Sequence, residues 1–368
     1  MKEFNHLVWP DYDNCLANLP NSILKKWNLP TRGSTLPLAD QYLQKDYKNV
    51  VVLLLDGMGK AIIERHLDEN GPFRSHLAGV YQSVFLSSTV PATTSALSGL
   101  QPCEHAWLGW DNYYPRLNKN VTVFLNVVQS TEEPAADFHV ASTIAPYENI
   151  MTRINRAGGE AYACTPFFEP YPDSFEKICA RIKELCQNPG KKYIYAYWPE
   201  PDGVLHEAGC GAEISGKTTR ELEEKVAELM EELEDTLLIV TADHGHKDCQ
   251  AVVLTNYPKI CDCLVRMPSL EPTALNFFVK EEKKEVFEEA FQREFGDKFL
   301  LMPMQDVLDK QLFGTAEPHP EFRGMLGDYL AISIDDLAIF LRPEDVLKSM
   351  HGGVSEDEVT IPLIVFEK

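Results

Sequence analysis

The stretch NVVVLLLDGMG, residues 49–59, decides the fold class of this chain. Its apolar, β-branched run Asn49–Leu55 predicts a buried parallel strand, and the Asp-Gly that follows predicts a turn. Residues 191–198 (KKYIYAYW) and 236–241 (TLLIVT) have the same character, and both run into polar loops that contain glycine. The sequence therefore predicts several parallel strands that end in polar loops.

Helical periodicity alternates with these strands. Two segments carry apolar residues at helical spacing, namely Phe175, Ile178, Cys179, Ile182 and Cys186, and then Leu222, Val226, Leu229, Met230 and Leu233. Alternation of strands and helices predicts an α/β fold, with a mostly parallel sheet and helices on both faces.

The chain divides into a core, an arm and an insertion. Residues 1–48 have little periodicity and are expected to form an N-terminal arm packed on the core, which spans 49–255 and 326–368. Residues 256–325 break the rhythm and predict a small α/β insertion, or cap. The predicted elements there are the strands Asn276–Val279 and Lys298–Met302, the charged helix Glu281–Phe295 and a helix near Gln305–Leu312. Strands Asp328–Ile334 and Thr360–Phe366 are expected to return to the core.

Composition excludes some partners. The 368 residues include 34 Lys+Arg against 56 Asp+Glu, a net charge of −22, which disfavours binding to a nucleic-acid polymer.

There is no run of 18 apolar residues and no basic flank before an apolar segment at the start, so neither a membrane span nor a secretory signal is expected. Nine scattered cysteines predict reduced thiols in a cytoplasmic protein. The pair Cys261-x-Cys263 is interpreted as two small hydrophobic residues. Nothing in the sequence indicates the oligomeric state.

Three aspartates follow the three strong strands. Asp56 comes directly after the first strand, Asp202 four residues after the second and Asp243 two residues after the third. A single aspartate in such a place is usually a helix cap or a turn residue. Ligands of open α/β sheets bind at the carboxyl ends of strands, so three aspartates there predict one shared site.

Histidines accompany these aspartates. His206 lies four residues after Asp202, His244 follows Asp243, and His351 precedes two glycines. Carboxylate with imidazole suits zinc or manganese, whereas oxygen ligands alone would suggest magnesium or calcium. The remaining histidines with an ordinary structural interpretation are His66, His76, His139 and His319. The roles of His105 and His246, which lie beside the site in sequence, stay open.

The segment SSTVPATTSALSG, residues 87–99, offers a nucleophile. Thr89 precedes a Val-Pro turn and small residues that can start a helix, whose N-terminus would favour a phosphate. Metal coordination can activate a hydroxyl group that is otherwise inert. The hydroxyl groups of Ser87, Ser88, Thr93 and Thr94 compete with Thr89 for this role. The chain contains neither a complete dinucleotide-binding or phosphate-loop motif nor a Gly-x-Ser-x-Gly elbow.

Together these segments resemble the alkaline phosphatase superfamily and, within it, the type I phosphodiesterase/nucleotide pyrophosphatase family, over roughly 49–110, 193–250 and 350–365. The resemblance implies two divalent metals, with zinc favoured and manganese as the alternative. It implies a first metal held by Asp202, His206 and His351. A second would be held by Asp56, Asp243 and His244, with Thr89 reaching it as the nucleophile. The implied reaction is ping-pong, through a phospho-threonine that water then hydrolyses.

The chain also departs from that family. Ala92 stands where these phosphodiesterases usually carry Asn, and Trp110 occupies roughly the place of an Asn that donates to a phosphate oxygen. Asn112 is the predicted substitute donor. Trp110, in a cluster with Trp107, Tyr113 and Tyr114, is a predicted substrate-binding residue that could stack on a flat group. The alternative is a buried aromatic patch.

The leading hypothesis is a metal-dependent phosphodiesterase or nucleotide pyrophosphatase that acts on a small phosphate ester. A phosphonate hydrolase of the phosphonoacetate type and a phosphomonoesterase are the alternatives. A phosphonate that carries a carboxylate would need a Lys or Arg pocket, and Lys60, Arg116 and Lys119 are too scattered to decide. A non-enzymatic metal-binding regulatory protein is the remaining class, and the full set of seven ligands argues against it.

Overall fold

Two β-sheets organise the chain, whose computed structural model describes residues 7–368. The strands are β1 (Asn49–Leu55), β2 (Leu77–Gln82), β3 (Asp111–Tyr114), β4 (Lys119–Thr122), β5 (Val127–Val128), β6 (Glu160–Cys164), β7 (Lys192–Trp198), β8 (Thr236–Thr241), β9 (Lys247–Asp248), β10 (Gln250–Val253), β11 (Ser269–Glu271), β12 (Ala274–Phe277), β13 (Phe299–Pro303), β14 (Tyr329–Ser333), β15 (Leu337–Phe340), β16 (Ser349–Met350) and β17 (Thr360–Glu367).

Helices flank and connect these strands. They are α1 (Asn18–Lys26), α2 (Pro37–Leu43), α3 (Lys60–His66), α4 (Pro72–Ser75), α5 (Thr89–Ser98), α6 (Pro102–His105), α7 (Val140–Ile144), α8 (Ile150–Arg156), α9 (Phe175–Gln187), α10 (Asp202–Ala208), α11 (Glu213–Glu232), α12 (Pro258–Cys261), α13 (Lys284–Phe295), α14 (Met304–Asp309), α15 (Phe322–Met325) and α16 (Glu356–Val359). Short 3-10 turns lie at Leu254–Asn256, Glu281–Lys283 and Pro343–Asp345.

The central sheet has the strand order β2-β17-β8-β1-β7-β6. Strands β8, β1, β7 and β6 are parallel, whereas β17 runs antiparallel to both β8 and β2. All seven residues of β1 are buried, because this strand has a parallel partner on each side and helices cover the sheet. The predicted α/β class, with a mostly parallel sheet flanked by helices, is confirmed.

The second sheet is antiparallel, with the order β13-β14-β12-β11-β3-β4-β5. It takes strands from 111–128, 269–303 and 329–333, and so extends on both sides of the predicted insertion 256–325. The segment expected to return to the core at Asp328–Ile334 instead supplies β14 of this sheet. An apolar strand has the same local pattern in either sheet, and its pairing partners are set by distant segments.

The N-terminal segment packs on the central sheet. Helices α1 and α2 place Leu19, Ile23, Leu24 and Ala39 in the main hydrophobic core, together with residues of β1, β7 and β8. Residues 1–6 of the predicted arm lie outside the described residues.

Two glycines allow the loops after β1 and β8 to touch. A Cβ atom on Gly59 would lie 2.4 Å from the Cα of Gly245, and one on Gly245 would lie 2.0 Å from the carbonyl oxygen of Asp357. The Gly245 N–H also donates to the carbonyl oxygen of Glu358 at 2.8 Å. This close packing fixes the backbone next to Asp243 and His244.

We predict that Gly245→Ala lowers the free energy of unfolding by about 1–3 kcal/mol, because the added methyl group cannot fit against the Asp357 carbonyl without moving the backbone. Urea unfolding measures the loss. Gly33→Ala is the matched control, since a Cβ there meets only the Asn21 side chain, at 3.8 Å. Equal stability of the two variants would contradict the close packing.

Candidate metal centre

The three aspartates predicted from strand ends do meet at one edge of the central sheet. Strands β8, β1 and β7 are neighbours and parallel, so their carboxyl ends lie side by side. Asp56 follows β1, Asp243 lies two residues after β8, and Asp202 begins α10 just after β7. The Asp202 N–H donates to the Asp56 carbonyl oxygen at 3.1 Å, which joins two of these loops directly.

The first ligand group consists of Asp202, His206 and His351. Nε2 of His206 lies 3.2 Å from Nε2 of His351, and Oδ1 of Asp202 lies 3.4 Å and 3.6 Å from these two nitrogens. Ligands of a tetrahedral zinc ion at about 2.0–2.1 Å lie about 3.3–3.4 Å from one another. The three atoms therefore fit three corners of a zinc site.

Backbone pairing places the two histidines of this group. His206 lies on α10, and its Nδ1–H donates to the Ser349 carbonyl oxygen at 2.8 Å, which leaves Nε2 free to face the site. His351 directly follows β16, which pairs antiparallel with β9. Because β9 begins just after the His244 segment, this pairing brings a distant part of the chain to the sheet edge.

The second ligand group surrounds Nε2 of His244. This nitrogen lies 3.3 Å from Oδ1 of Asp56, 3.5 Å from Oδ2 of Asp243 and 3.1 Å from Oγ1 of Thr89. The opposite ring nitrogen, Nδ1, donates to the Gly245 carbonyl oxygen at 3.1 Å, so Nε2 presents a lone pair to the group. One ligand atom each from Asp56, Asp202 and His244 lies within 4.8 Å of the others, so Asp202 stands between the two groups.

Two buried oxygens of this cluster have no hydrogen-bond partner, namely Oδ1 of Asp56 and Oδ2 of Asp243. Among residues 7–368, no Lys or Arg forms an ion pair with either carboxylate or with Asp202. Buried carboxylates without a countercharge are costly. Their orphaned oxygens and the inward-facing imidazoles fit bound cations, so these residues form groups that could bind metal.

The pKa values reflect the same crowding. Burial, with the charge of Asp243, raises the pKa of Asp56 well above its ordinary value, and burial with the charge of Asp202 raises the pKa of Asp243 to about 7. At Asp202 burial acts upward, but the neighbouring imidazoles of His206 and His246 outweigh it and hold the pKa well below its ordinary value. Burial lowers the pKa of His244 to about 4, which keeps its ring neutral and able to ligate.

Thr89 is the first residue of α5 and its hydroxyl group faces the second ligand group. The competing hydroxyl groups have other partners. Ser87 donates to the Gly353 carbonyl oxygen at 2.9 Å, Ser88 donates to Glu271, and Thr93 donates to the Thr89 carbonyl oxygen at 2.6 Å. Thr94 lies more than one turn further along the helix, where its side chain forms a hydrogen bond with Tyr147.

A cavity of about 450 Å³ opens onto this cluster. Thr89, Asp202, His206 and His351 line its inner end. Strands of the second sheet, strand β15 and neighbouring loops build the rest, with mostly apolar walls and polar side chains that include Asp111, Gln129, Glu271 and Arg342. Burial raises the pKa of Glu271 to about 8 and that of Asp111 to about 6. The site is thus a metal-binding end joined to a largely apolar pocket.

The predicted substrate-binding residues separate in the structure. Trp110 lines the cavity and is 39% exposed, and its N–H donates to Oε1 of Glu271 at 2.8 Å. Asn112 is buried on the opposite side of β3 from Asp111. Its amide donates to the Ala106 carbonyl oxygen and accepts from the Leu108 N–H, so the side chain is occupied away from the cavity wall.

The other aromatic residues of the predicted cluster are structural. Trp107 is buried and donates to the Ala145 carbonyl oxygen, Tyr114 is fully buried, and Tyr113 lies under the Arg266 guanidinium group at 4.0 Å. Only Trp110 of the four lines the cavity.

Histidines and cysteines outside the site also have local roles. His105 is buried against Ser95 and the Trp107 N–H, and His66, His76, His139 and His319 contact nearby backbone. Cys261 and Cys263 belong to, or pack on, an apolar cluster of the second sheet, as two small hydrophobic residues would.

His246 is a site residue that sequence reasoning left open. Its ring is buried beside the first ligand group, and its Nε2 lies 2.6 Å from Oδ1 of Asp202. The sequence Asp243-His244-Gly245-His246 offered a signal for this residue. However, His246 faces the same edge as His244 only if the backbone between them is extended, and the sequence does not show that.

Comparison with known proteins agrees with this geometry. Three similar solved structures are of ectonucleotide pyrophosphatase/phosphodiesterase 5. The murine protein, as an inactive threonine-to-alanine variant in complex with AMP, is 19% identical with a TM-score of 0.65, over 87% of each chain. The human protein is 20% identical with a TM-score of 0.66, over 85% of this chain and 87% of that one. These likenesses show an alkaline phosphatase-like fold. A search of curated protein sequences finds no match.

The sequence profile of the type I phosphodiesterase / nucleotide pyrophosphatase family matches residues 50–290. The chain belongs to this family, and it is a hydrolase that acts on phosphoric ester bonds. Across residues 7–368, the structure has no helix that is both long and apolar enough to cross a membrane.

The raised pKa of Asp243 predicts how the stability of metal-free protein depends on pH. The folded carboxyl group titrates near pH 7 and the unfolded one near 3.9, so the folded state holds the extra proton between these values. The stability that the proton supplies is therefore lost as pH rises from about 4 to about 7, by about 1.4 kcal/mol for each pH unit.

Unfolding in urea with a chelator present, at several pH values, measures this effect as the difference between wild type and Asp243→Asn. We expect Asp243→Asn to gain stability relative to wild type as pH rises through this window. The exposed Asp137 gives the control Asp137→Asn, whose difference from wild type should stay flat. A flat difference for Asp243→Asn as well would contradict the assignment of the raised pKa to this carboxyl group.

Proposed function

We propose that this chain is a metal-dependent phosphodiesterase that cleaves a small phosphate ester with Thr89 as its nucleophile. One observation carries the proposal. The Thr89 hydroxyl group lies 3.1 Å from Nε2 of His244, whose ligand group holds two orphaned carboxylate oxygens, and Thr89 also lines the cavity of about 450 Å³. A nucleophile must reach both the activating group and the substrate, and Thr89 is positioned for both.

Two further observations support Thr89. It is the first residue of the ten-residue helix α5, so the positive end of the helix dipole lies next to the attacking oxygen and to the phosphate. In the murine relative that was solved with AMP, replacement of a threonine by alanine gives an inactive protein.

The residues proposed to hold two divalent metals are Asp202, His206 and His351 for the first, and Asp56, Asp243, His244 and Thr89 for the second. When bound, such metals stabilise the charge on the attacking and leaving oxygens. Zinc is favoured over manganese, because imidazole supplies half of the protein side chains apart from Thr89, and because the spacing of the first group fits a tetrahedral ion.

The reaction proposed for these residues has two steps. Oγ1 of Thr89 attacks phosphorus and forms a bond to it while the bond from phosphorus to the leaving alcohol breaks. Water then attacks the phospho-threonine, which breaks the bond to Oγ1 and restores Thr89. Overall, the hydroxyl group of one water ends on phosphorus and its proton on the alcohol. The adjoining cavity holds the second ester group, which stays on phosphorus during both steps.

The cavity favours a diester over the alternatives. At about 450 Å³ it has room for an ester group beyond the phosphate, and apolar side chains dominate its walls. Within the described part of the chain, Arg342 is the one Lys or Arg that lines the cavity, and its guanidinium group donates to Asp345 and to the Ser130 carbonyl oxygen. The carboxylate of a phosphonoacetate-type substrate would find no free cation among the lining residues that the structure describes, and a monoester has no second ester group to fill the cavity.

The cytoplasm is the proposed compartment. All nine cysteines are free, which suits a reducing environment.

We predict that Thr89→Ala lowers kcat at least about 10³-fold, because the variant loses the hydroxyl group that lies 3.1 Å from Nε2 of His244. Thr93→Ala is the matched control in the same helix, since its hydroxyl group only donates to the Thr89 carbonyl oxygen, and its kcat should stay within a few-fold of wild type. Turnover of bis(p-nitrophenyl) phosphate by zinc-loaded protein measures both rates. A Thr89→Ala variant with near wild-type activity would move the nucleophile elsewhere.

Substrate preference tests the role of the cavity. For zinc-loaded protein, kcat/KM should be at least about tenfold higher for bis(p-nitrophenyl) phosphate than for p-nitrophenyl phosphate, because the second ester group gains about 1.4 kcal/mol in the cavity. Trp110→Ala should remove most of that preference, whereas Tyr113→Ala, outside the cavity, should keep it. Preference for the monoester or for phosphonoacetate would contradict the diester proposal. No turnover of any of them by protein with two bound metals would favour the non-enzymatic alternative.

A further inference from the structure

His246 contributes a buried imidazole that none of the proposed ligand assignments uses. Its side chain is fully buried, and its ring packs edge-on to the ring of His206, with 4.6 Å between the centroids. Nε2 lies 2.6 Å from Oδ1 of Asp202, while Nδ1 lies 3.1 Å from the hydroxyl oxygen of Ser349. Both ring nitrogens thus meet residues of the first ligand group or its support.

The short distance between Nε2 of His246 and Oδ1 of Asp202 requires a proton between the two atoms. Two atoms that both present lone pairs repel each other at 2.6 Å, so a proton must join them. This distance is close to that of a charge-assisted hydrogen bond and shorter than the 3.2–3.6 Å that separates the three proposed ligand atoms. A ring nitrogen of His246 also lies within 4.8 Å of ligand atoms of Asp202, His206 and His351, but the 2.6 Å contact fits a donor to Asp202 better than a further ligand.

Ser349 completes the arrangement on the other side of the ring. On that side, Nδ1 of His246 lies 3.1 Å from the hydroxyl oxygen of Ser349. The Ser349 hydroxyl group donates to the Leu205 carbonyl oxygen on α10 at 2.7 Å, which fixes its position beside the ring. The Ser349 carbonyl oxygen accepts from Nδ1 of His206. One residue thus fixes the rings of both His206 and His246.

The turn after β1 passes close to the ring of His246 and to Asp202. A Cβ on Gly57, whose φ is +70°, would lie 2.9 Å from Cδ2 of His246 and 3.0 Å from Cα of Asp202. Only a glycine fits at this point of the turn, where the backbone packs against both partners of the hydrogen bond.

We propose that His246 is a positioning residue for the first metal site, where its Nε2–H holds Oδ1 of Asp202 in the orientation that faces His206 and His351. Outer hydrogen bonds of this kind orient metal ligands, and their loss typically costs 10- to 100-fold in metal affinity. The inference rests on the proposed metal site formed by Asp202, His206 and His351.

The test uses the full chain, stripped of metal by a chelator and then titrated with zinc against a chromophoric chelator. His246→Leu removes the donor and keeps an apolar side chain of similar size, whereas His246→Gln keeps an amide N–H that can reach Asp202. Cobalt(II) spectra of the saturated variants report on the ligands themselves. We expect His246→Leu to weaken one of two zinc sites 10- to 100-fold and His246→Gln to stay within a few-fold of wild type, with cobalt spectra that keep the wild-type form.

Two results would overturn the positioning role. If His246→Leu binds zinc as tightly as wild type, the hydrogen bond does not position Asp202. If His246→Gln is as weak as His246→Leu and both change the cobalt spectrum, His246 is itself a ligand. Wild-type protein that binds no zinc would instead refute the proposed function on which the inference rests.

Ser349→Ala keeps the test decisive if His246→Leu does not fold, as judged by far-UV circular dichroism. It removes the hydroxyl group that contacts Nδ1 of His246 and leaves His246 in place. A loss of several-fold in the affinity of the same single site is expected, and unchanged affinity would overturn the proposal.

Discussion

The arrangement of this chain depends on three aspartates at one edge of the central sheet, which no Lys or Arg among residues 7–368 neutralises. Parallel strands β8, β1 and β7 bring Asp243, Asp56 and Asp202 together as a consequence of their pairing. Burial of these charges opposes folding unless cations or protons compensate them. The raised pKa values of Asp56 and Asp243 show the compensation by protons, and the inward-facing imidazoles provide for compensation by metals. The same crowding that destabilises the metal-free protein thus creates affinity for divalent ions.

The second sheet turns this charged edge into a site for an organic molecule. Glu271 at the end of β11 accepts from Ser88 and from the Trp110 N–H, so it connects the segment before Thr89 to one wall of the cavity. Thr273 donates to the His351 carbonyl oxygen and fixes the last ligand from the same side. One interface between the two sheets therefore sets the positions of the nucleophile Thr89, the ligand His351 and the cavity. Selection among phosphate esters then depends on the walls of the cavity, and the chemistry on the edge of the central sheet.

Much of this could be predicted from the sequence because the decisive signals are local. Buried strands followed by Asp, as at Asp56 and Asp243, fix both the sheet type and the edge where the carboxylates meet. The second sheet could not be predicted, because β3 pairs with β11 across more than a hundred residues and nothing in either strand names its partner. Asn112 shows the same limit. The one-residue alternation of a strand decides which side chain faces the cavity, and it presents Asp111 there instead. His246 enters the site through a turn that spacing alone does not define.

The most direct test of this account is a crystal structure of the zinc-loaded protein with anomalous diffraction data collected at the zinc absorption edge. The account predicts two anomalous peaks at the edge of the central sheet. One should lie among Asp202, His206 and His351, and the other among Asp56, Asp243 and His244 within reach of Oγ1 of Thr89. A single peak, or none at these side chains, would contradict the claim that the buried carboxylates are compensated by two metal ions.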